Sequence, residues 1–266
     1  MSNYETVLVT YSHNRRIATV TMNRPEMHNA LNAQLLNDLK AAFDELSADT
    51  NLHAVILTGA GKSFSAGADL NVMRAAASYT QERNQQDALE MAGVFASLND
   101  FPAPLVARVN GAAMGGGLGL LAVCDIVIAA DSARLAFSEV KLGIAPAVIS
   151  PFVVSKIGRS WARRLFVTGE RFTSALAREL GLVHTVVPLE ELDAAVESII
   201  QELLTSGPRA MRACKALAKS VGQMDQSSVR AFTARTIAEL RVSEEGQEGL
   251  HAFLEKRKPN WIESAE

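Results

Sequence analysis

Apolar residues step along this chain in two rhythms. Residues 6–11 (TVLVTY) and 16–22 (RIATVTM) alternate or run apolar around a polar His-Asn-Arg, which predicts a β-hairpin. Leu31, Leu35, Leu39, Phe43 and Leu46 then recur at steps of four or three, the spacing of an amphipathic helix, with Asn29 or Asn32 as its cap. AVILTG (54–59) is wholly apolar or β-branched up to its end and predicts a buried strand, and GKSFSAGADLN (61–71) predicts a loop. There follow a helical pattern over 81–100, a strand at 104–111, a glycine run opening a short helix, a strand at 124–130 and a brief extended piece at 135–139. From about residue 159 the pattern turns helical, over 159–168 and 173–180. VHTVVP (183–188) interrupts it as a short strand, and residues 189–266 are almost wholly helical. The order predicts an α/β chain of repeated strand–turn–helix units. Its helical tail packs on the chain's own core or on neighbouring subunits. No fixed-period repeat is visible.

Composition narrows the function. Of 266 residues, 48% are hydrophobic and 21% charged, enough to bury a sizeable core. A net charge of -3 gives no general attraction for nucleic acid or acidic membranes. No apolar run approaches the roughly 20 residues of a bilayer span, and the first residues lack the order of a signal peptide, so a cytoplasmic protein is expected. Cys124 and Cys214 stand outside any CxxC or Cys/His cluster and read as reduced packing residues. The histidines (13, 28, 53, 184, 251) show no ligand spacing, and no metal is expected; His251 reads as a surface residue of the tail, within conceivable reach of a substrate carboxylate.

The chemistry gathers in AMGGGLGLLAVCDIV (112–126). Glycines at a helix start let a ligand approach free N–H groups and the positive end of the helix dipole. GLGLLA (117–122) formally fits the dinucleotide fingerprint, with Glu139 about twenty residues on. Only about seven residues separate it from the next strand, too few for a Rossmann crossover. No GK[ST] follows the glycines and no GxSxG occurs, so P-loop and nucleophile-elbow chemistry are excluded. One helix amide makes half of an oxyanion hole; Ala66 or Gly67 in SFSAGADL (63–70) would supply the other half. Glu139, in the apolar setting LAFSEVKLGI, should hold its proton above the usual range and suit proton transfer at carbon.

SFSAGADL, VNGAAMGGG and CDIVIAADSARLAFSEVKLGIAP, in that order, resemble the enoyl-CoA hydratase/isomerase (crotonase) superfamily, and the likeness runs from NRPEMHNAL to the closing FLEKRKPNW. It implies a crotonase-like α/β spiral of ββα units over 1–200, with a C-terminal helical trimerisation region over 201–266 assembling a homotrimer or homohexamer. It implies no separate cofactor, because coenzyme A arrives as part of the acyl-CoA substrate. Ala66 and Gly116 become the two donors holding the thioester oxygen as it turns into an enolate. Ala66, Gly67, Ala68, Asp69, Leu70, Gly116, Gly119 and Lys258 become substrate-binding positions. By charge alone Lys256, Arg257 and Lys258 read as a solvated helix end; the family reading is contact with the CoA phosphates.

Hydratases of this superfamily carry two glutamates, one in a GGGxE pattern. This chain reads GGGLG, so that place is Gly119, and Glu139 alone keeps the other. GGGLGL with FSEVKLGIAPAVISPFV further resembles bacterial methylglutaconyl-CoA hydratases of leucine breakdown and the decarboxylases of polyketide assembly. The APAVISP stretch replaces the glycine-rich run of ordinary enoyl-CoA hydratases. The implied reaction is addition of water to an α,β-unsaturated acyl-CoA, with 3-methylglutaconyl-CoA as the candidate and Gly119 leaving room for its β-methyl group. An isomerase or decarboxylase using Glu139 alone is the alternative. A noncatalytic RNA-binding or scaffold homologue would have no need of Glu139 and both amide loops.

Overall fold

The computed structural model describes residues 4–262. The expected hairpin is β1 (Val7–Ser12) against β2 (Ile17–Met22), turning through His13, Asn14 and Arg15, all in the left-handed region. Strands are numbered in chain order. β2 leads into a sheet in which β3 (Ala54–Gly59), β5 (Leu105–Val109), β7 (Ile126–Ala130) and β10 (Thr185–Val187) run parallel in that order. Apolar strands buried on both faces need cover on both. One cover is α1 (Ala33–Ser47), which turns Leu35, Leu39, Phe43 and Leu46 inward, together with α3 (Gln81–Asn99), which buries Val94, Phe95 and Leu98. Asn32 is the α1 cap, its side chain accepting from Leu35 N at 2.9 Å; Asn29 is not. The other cover is α7 (Leu192–Leu204), whose Leu192, Val196, Ile200 and Leu204 pack with Ile17, Ala54, Val106 and Ile128.

A second sheet carries three parallel strands of three residues each, β4 (Ser63–Ser65), β6 (Ala112–Met114) and β8 (Arg134–Ala136). An antiparallel β9 (Arg171–Thr173) completes it. β4 and β6 lie where the pattern predicted only a loop and a glycine run, because three residues are too few to show a period. α2 (Leu70–Ala76) follows the first of these loops, and α4 (Gly116–Val123) grows straight out of β6. At eight residues, α4 is too short for a dinucleotide crossover, as the sequence indicated. α5 (Ser150–Thr168) starts well before the expected residue 159; Gly158, at φ 70°, ψ 165°, kinks it there, and only the second half was legible. α6 (Ser174–Glu179) leads into β10.

The tail folds as α8 (Pro208–Ser220), α9 (Gln226–Val242) and α10 (Glu244–Leu254). The expected division at residue 200 falls inside α7, which belongs to the sheet core. Ile199 and Leu203 of α7 pack on that same core. Val242, Phe253 and Leu254 of the tail are largely exposed. Cys124 is buried, and burial pushes its thiol up to about 12. Cys214 is exposed, so it is not the packing residue expected. Among the described residues no helix is long and apolar enough to cross a membrane, and no group of three His, Cys, Asp or Glu is placed to hold a metal.

Candidate active site

The three parallel strands of the small sheet end side by side, with Ser65 paired to Ala113 and Met114 to Ala136. From their carboxyl ends issue the Ala66–Asp69 loop, the Gly115–Gly117 run and the Ser138–Glu139 turn. Ligand sites form outside the carboxyl ends of parallel strands, where loops converge with free backbone groups. Here Ala66, Gly67, Ala68, Gly115, Gly116 and Glu139 line one cleft of about 610 Å³. Its remaining walls are largely aliphatic, from Val72, Met73, Ala76, Leu142 and Ile144, with Asn84 and Ser138 as the other polar side chains.

The two small-residue loops touch. A Cβ on Gly67, which sits at φ +85°, would stand 2.7 Å from Met114 O, so only glycine allows the approach. Within the first loop the amides have distinct fates. Ala66 N–H donates to His28 O at 2.9 Å, Gly67 N–H to Ser65 Oγ at 3.3 Å, and Asp69 N–H to Leu31 O at 3.0 Å. Ala68 N–H alone in this loop has no acceptor among the described residues. The donor expected at Ala66 is therefore taken, and the free one lies two residues on. Gly116 N–H, at the first position of α4, has no partner among the described residues either, as a helix start dictates. Gly115 caps the helix at φ 47°, with no side-chain bond.

Glu139 opens a short 3₁₀ turn, and its carboxyl faces the glycine run: a Cβ on Gly115 would meet Glu139 Oε1 at 2.9 Å. Its Oε2 is buried without a hydrogen-bond partner among the described residues. Burial raises the carboxyl above its ordinary range, a hydrogen bond from its own backbone amide only partly opposing this. Among the described residues no other carboxylate lines the cleft. A carboxyl whose proton is held more tightly than usual, beside two free amides, is equipped to move protons next to a carbonyl that becomes negative.

The other expected positions stand apart. Asp69 is buried and structural, capping α2 at Asn71 N (2.8 Å) and bonded to Arg24 Nη2 (2.9 Å). Burial would raise its carboxyl, but the Asn71 amide and Arg24 together hold it below the usual range. Leu70 is 62% exposed and not part of the cleft lining. Lys258 is exposed beyond α10 and also outside that lining. Its neighbour Arg257 is bonded to Glu248 and Glu255. Gly119 leaves no room for a substrate branch. Ile149 Cγ2 occupies the place of its missing side chain, and a Cβ there would lie 2.9 Å from Ile149 Cβ and from Phe95 Cε1. Ala68 as a donor, the α2 wall and Ile149 carried no distinguishing residue type that sequence reasoning would have marked.

With this geometry in hand, comparison with known proteins is informative. Residues 12–264 match the model of a family described as enoyl-CoA hydratase/isomerase. A putative enoyl-CoA hydratase of Thermus thermophilus is 34% identical over 92% of this chain and 97% of its own. The 2,3-dehydroadipyl-CoA hydratase of Escherichia coli is 32% identical over 94% and 96%. The crystal structure of an enoyl-CoA hydratase from Shewanella pealeana superposes with a TM-score of 0.91 at 40% identity, covering 97% of this chain and 96% of that one.

Proposed function

The chain belongs to the enoyl-CoA hydratase/isomerase (crotonase) family and is an enzyme of that family, and from this premise we propose the roles of its residues and its reaction. The thioester carbonyl oxygen sits between Ala68 N–H and Gly116 N–H, and Glu139 is the acid and base. The observation that carries this reading is the convergence of two unpaired amides and one half-buried carboxyl on one cleft. In hydration, Glu139 as carboxylate takes a proton from water while the water oxygen bonds to the β-carbon. The electrons of the C=C bond move into an enolate held by the two amides. The protonated Glu139 then gives its proton to the α-carbon, so that H and OH have been added and the carboxylate is restored.

A second reading has one observation in its favour: among the described residues Glu139 is the single carboxylate in the cleft. Glu139 would take a proton from the α-carbon of a 3-enoyl thioester and return it at the γ-carbon, an isomerisation that requires no water. The acyl group we propose to try first for hydration is 3-methylglutaconyl, branched and carboxylated. It rests on the GGGLGL and APAVISP likeness and on a relative named for a dicarboxylic enoyl thioester. Room for the branch belongs to the aliphatic cleft and not to Gly119. We also propose a homotrimer or homohexamer, supported by the exposed Val242, Phe253 and Leu254. Lys258 meeting CoA phosphates is part of the same proposal.

Crotonyl-, 3-methylglutaconyl- and 3-enoyl-CoA, followed by ultraviolet absorbance of the conjugated enoyl thioester, test the reading. Loss of absorbance with the first two supports hydration. Preference for 3-methylglutaconyl-CoA by over about tenfold in kcat/KM, or about 1.4 kcal/mol, supports that acyl group. Gain of absorbance from 3-enoyl-CoA alone replaces hydration by isomerisation.

A further inference from the structure

We propose that Ile149 is a positioning residue for the oxyanion donor, holding the first turn of α4 in register with Glu139. The inference rests on the reading of Gly116 N–H as that donor.

No side chain caps the N-terminus of α4. Its cap is a glycine whose N–H donates to Ala136 O at 2.9 Å; Leu118 N–H closes on Gly115 O at 2.9 Å, while Gly116 N–H and Gly117 N–H have no acceptor among the described residues. Beyond those backbone bonds, packing against the first turn fixes where Gly116 N–H points, and three contacts supply it. Leu31 Cδ1 closes on Gly116, Ser65 O on Gly117, and Ile149 with Phe95 on Gly119, each so near that a Cβ would be excluded. Gly116 and Gly119 are one turn apart and share a helix face, and Phe95 lies under both.

Ile149 differs from the other contacts in where it comes from. It closes the segment that Glu139 opens. Ile144 N–H returns to Glu139 O at 3.2 Å, and Ile149 O accepts from Val153 N at 3.1 Å as α5 begins. One short stretch of chain thus carries the acid at one end and the wedge against the donor helix at the other. Ile149 is 3% exposed and outside the cleft lining, so it acts on the substrate only through α4. The touching atoms are Cβ and Cγ2, which means that the β-branch, and not the side-chain volume, makes the wedge.

That distinction supplies the test. Ile149→Leu keeps the volume and removes the branch; Ile149→Val keeps the branch and loses one methyl group. Volume-conserving exchanges usually leave a core folded, which the thermal midpoint of each variant checks. We measure kcat with crotonyl-CoA, and the affinities for acetoacetyl-CoA, an enolate mimic, and for free CoA. Misplacement of a catalytic donor by a fraction of an ångström is costly. Ile149→Leu is expected to lose about tenfold or more in kcat, with acetoacetyl-CoA affinity falling in step and CoA affinity unchanged. Ile149→Val should stay within about twofold of wild type on all three. The proposal is overturned if Ile149→Leu matches wild type, or if both variants lose alike. A wild-type enzyme that binds CoA but neither acetoacetyl-CoA nor crotonyl-CoA would instead remove the reading beneath it, and the proposal with it.

Discussion

The two sheets of this molecule divide its labour. The large one is built of strands of up to six residues, with Leu57, Leu105, Val106 and Ile128 wholly buried and helices on both faces. The small one has strands of three residues, and its side chains matter less than the loops that leave them. The first buries apolar area and supplies stability. The second aligns Ala68, Gly116 and Glu139 and supplies geometry. A fold of this kind holds two unpaired amides and a half-buried carboxyl, all unfavourable in themselves, because a separate core overrides their cost.

The sharpest way to separate the two is to damage each alone. Leu57→Ala in β3 opens a cavity in the large sheet and should cost about 2–5 kcal/mol in urea unfolding. The kcat per folded molecule should remain near wild type. A fall in kcat of the size seen for site variants would dissolve the distinction. Next in size, Glu139→Gln should lower kcat about a hundredfold, close to 2.7 kcal/mol of barrier, with CoA binding unchanged. Retention of more than half of kcat would end the assignment of Glu139.

A smaller effect concerns stability and pH. Burial raises Glu139 in the folded protein, so between its ordinary value of about 4.3 and the raised one the folded state binds the proton more tightly. Wild-type stability is therefore eroded as pH rises through that window. Glu139→Gln lacks this loss, and its advantage in urea midpoint should widen from about pH 4 to about pH 8. A constant difference across the range would place the charged carboxyl in a well-solvated setting.

The contrast between the sheets also marks what the sequence revealed. Leu31, Leu35, Leu39, Phe43 and Leu46 announced α1, and AVILTG announced β3, because burial imposes a period or a run. β4 and β6 are too short to impose either, so their residues looked like loop. Glu139 was legible as a carboxyl in an apolar stretch, and the glycine run as a helix start. Which amide of SFSAGADL stays free was not: it turns on Ala66 meeting His28 O across the NRPEMHNAL loop, a tertiary contact. Gly119 misled for the same reason. An absent side chain suggests space, and only the fold shows that Ile149, thirty residues on, fills it.

The central claim is that this cleft makes an enolate and that Glu139 alone carries the proton. Exchange at the α-carbon of a saturated acyl-CoA in D₂O, followed by mass spectrometry, tests it without any need for hydration. The wild-type enzyme should introduce deuterium at that carbon, and Glu139→Gln should not, although it binds the same thioester. Undiminished exchange by Glu139→Gln, or none by wild-type enzyme saturated with the thioester, would contradict the account.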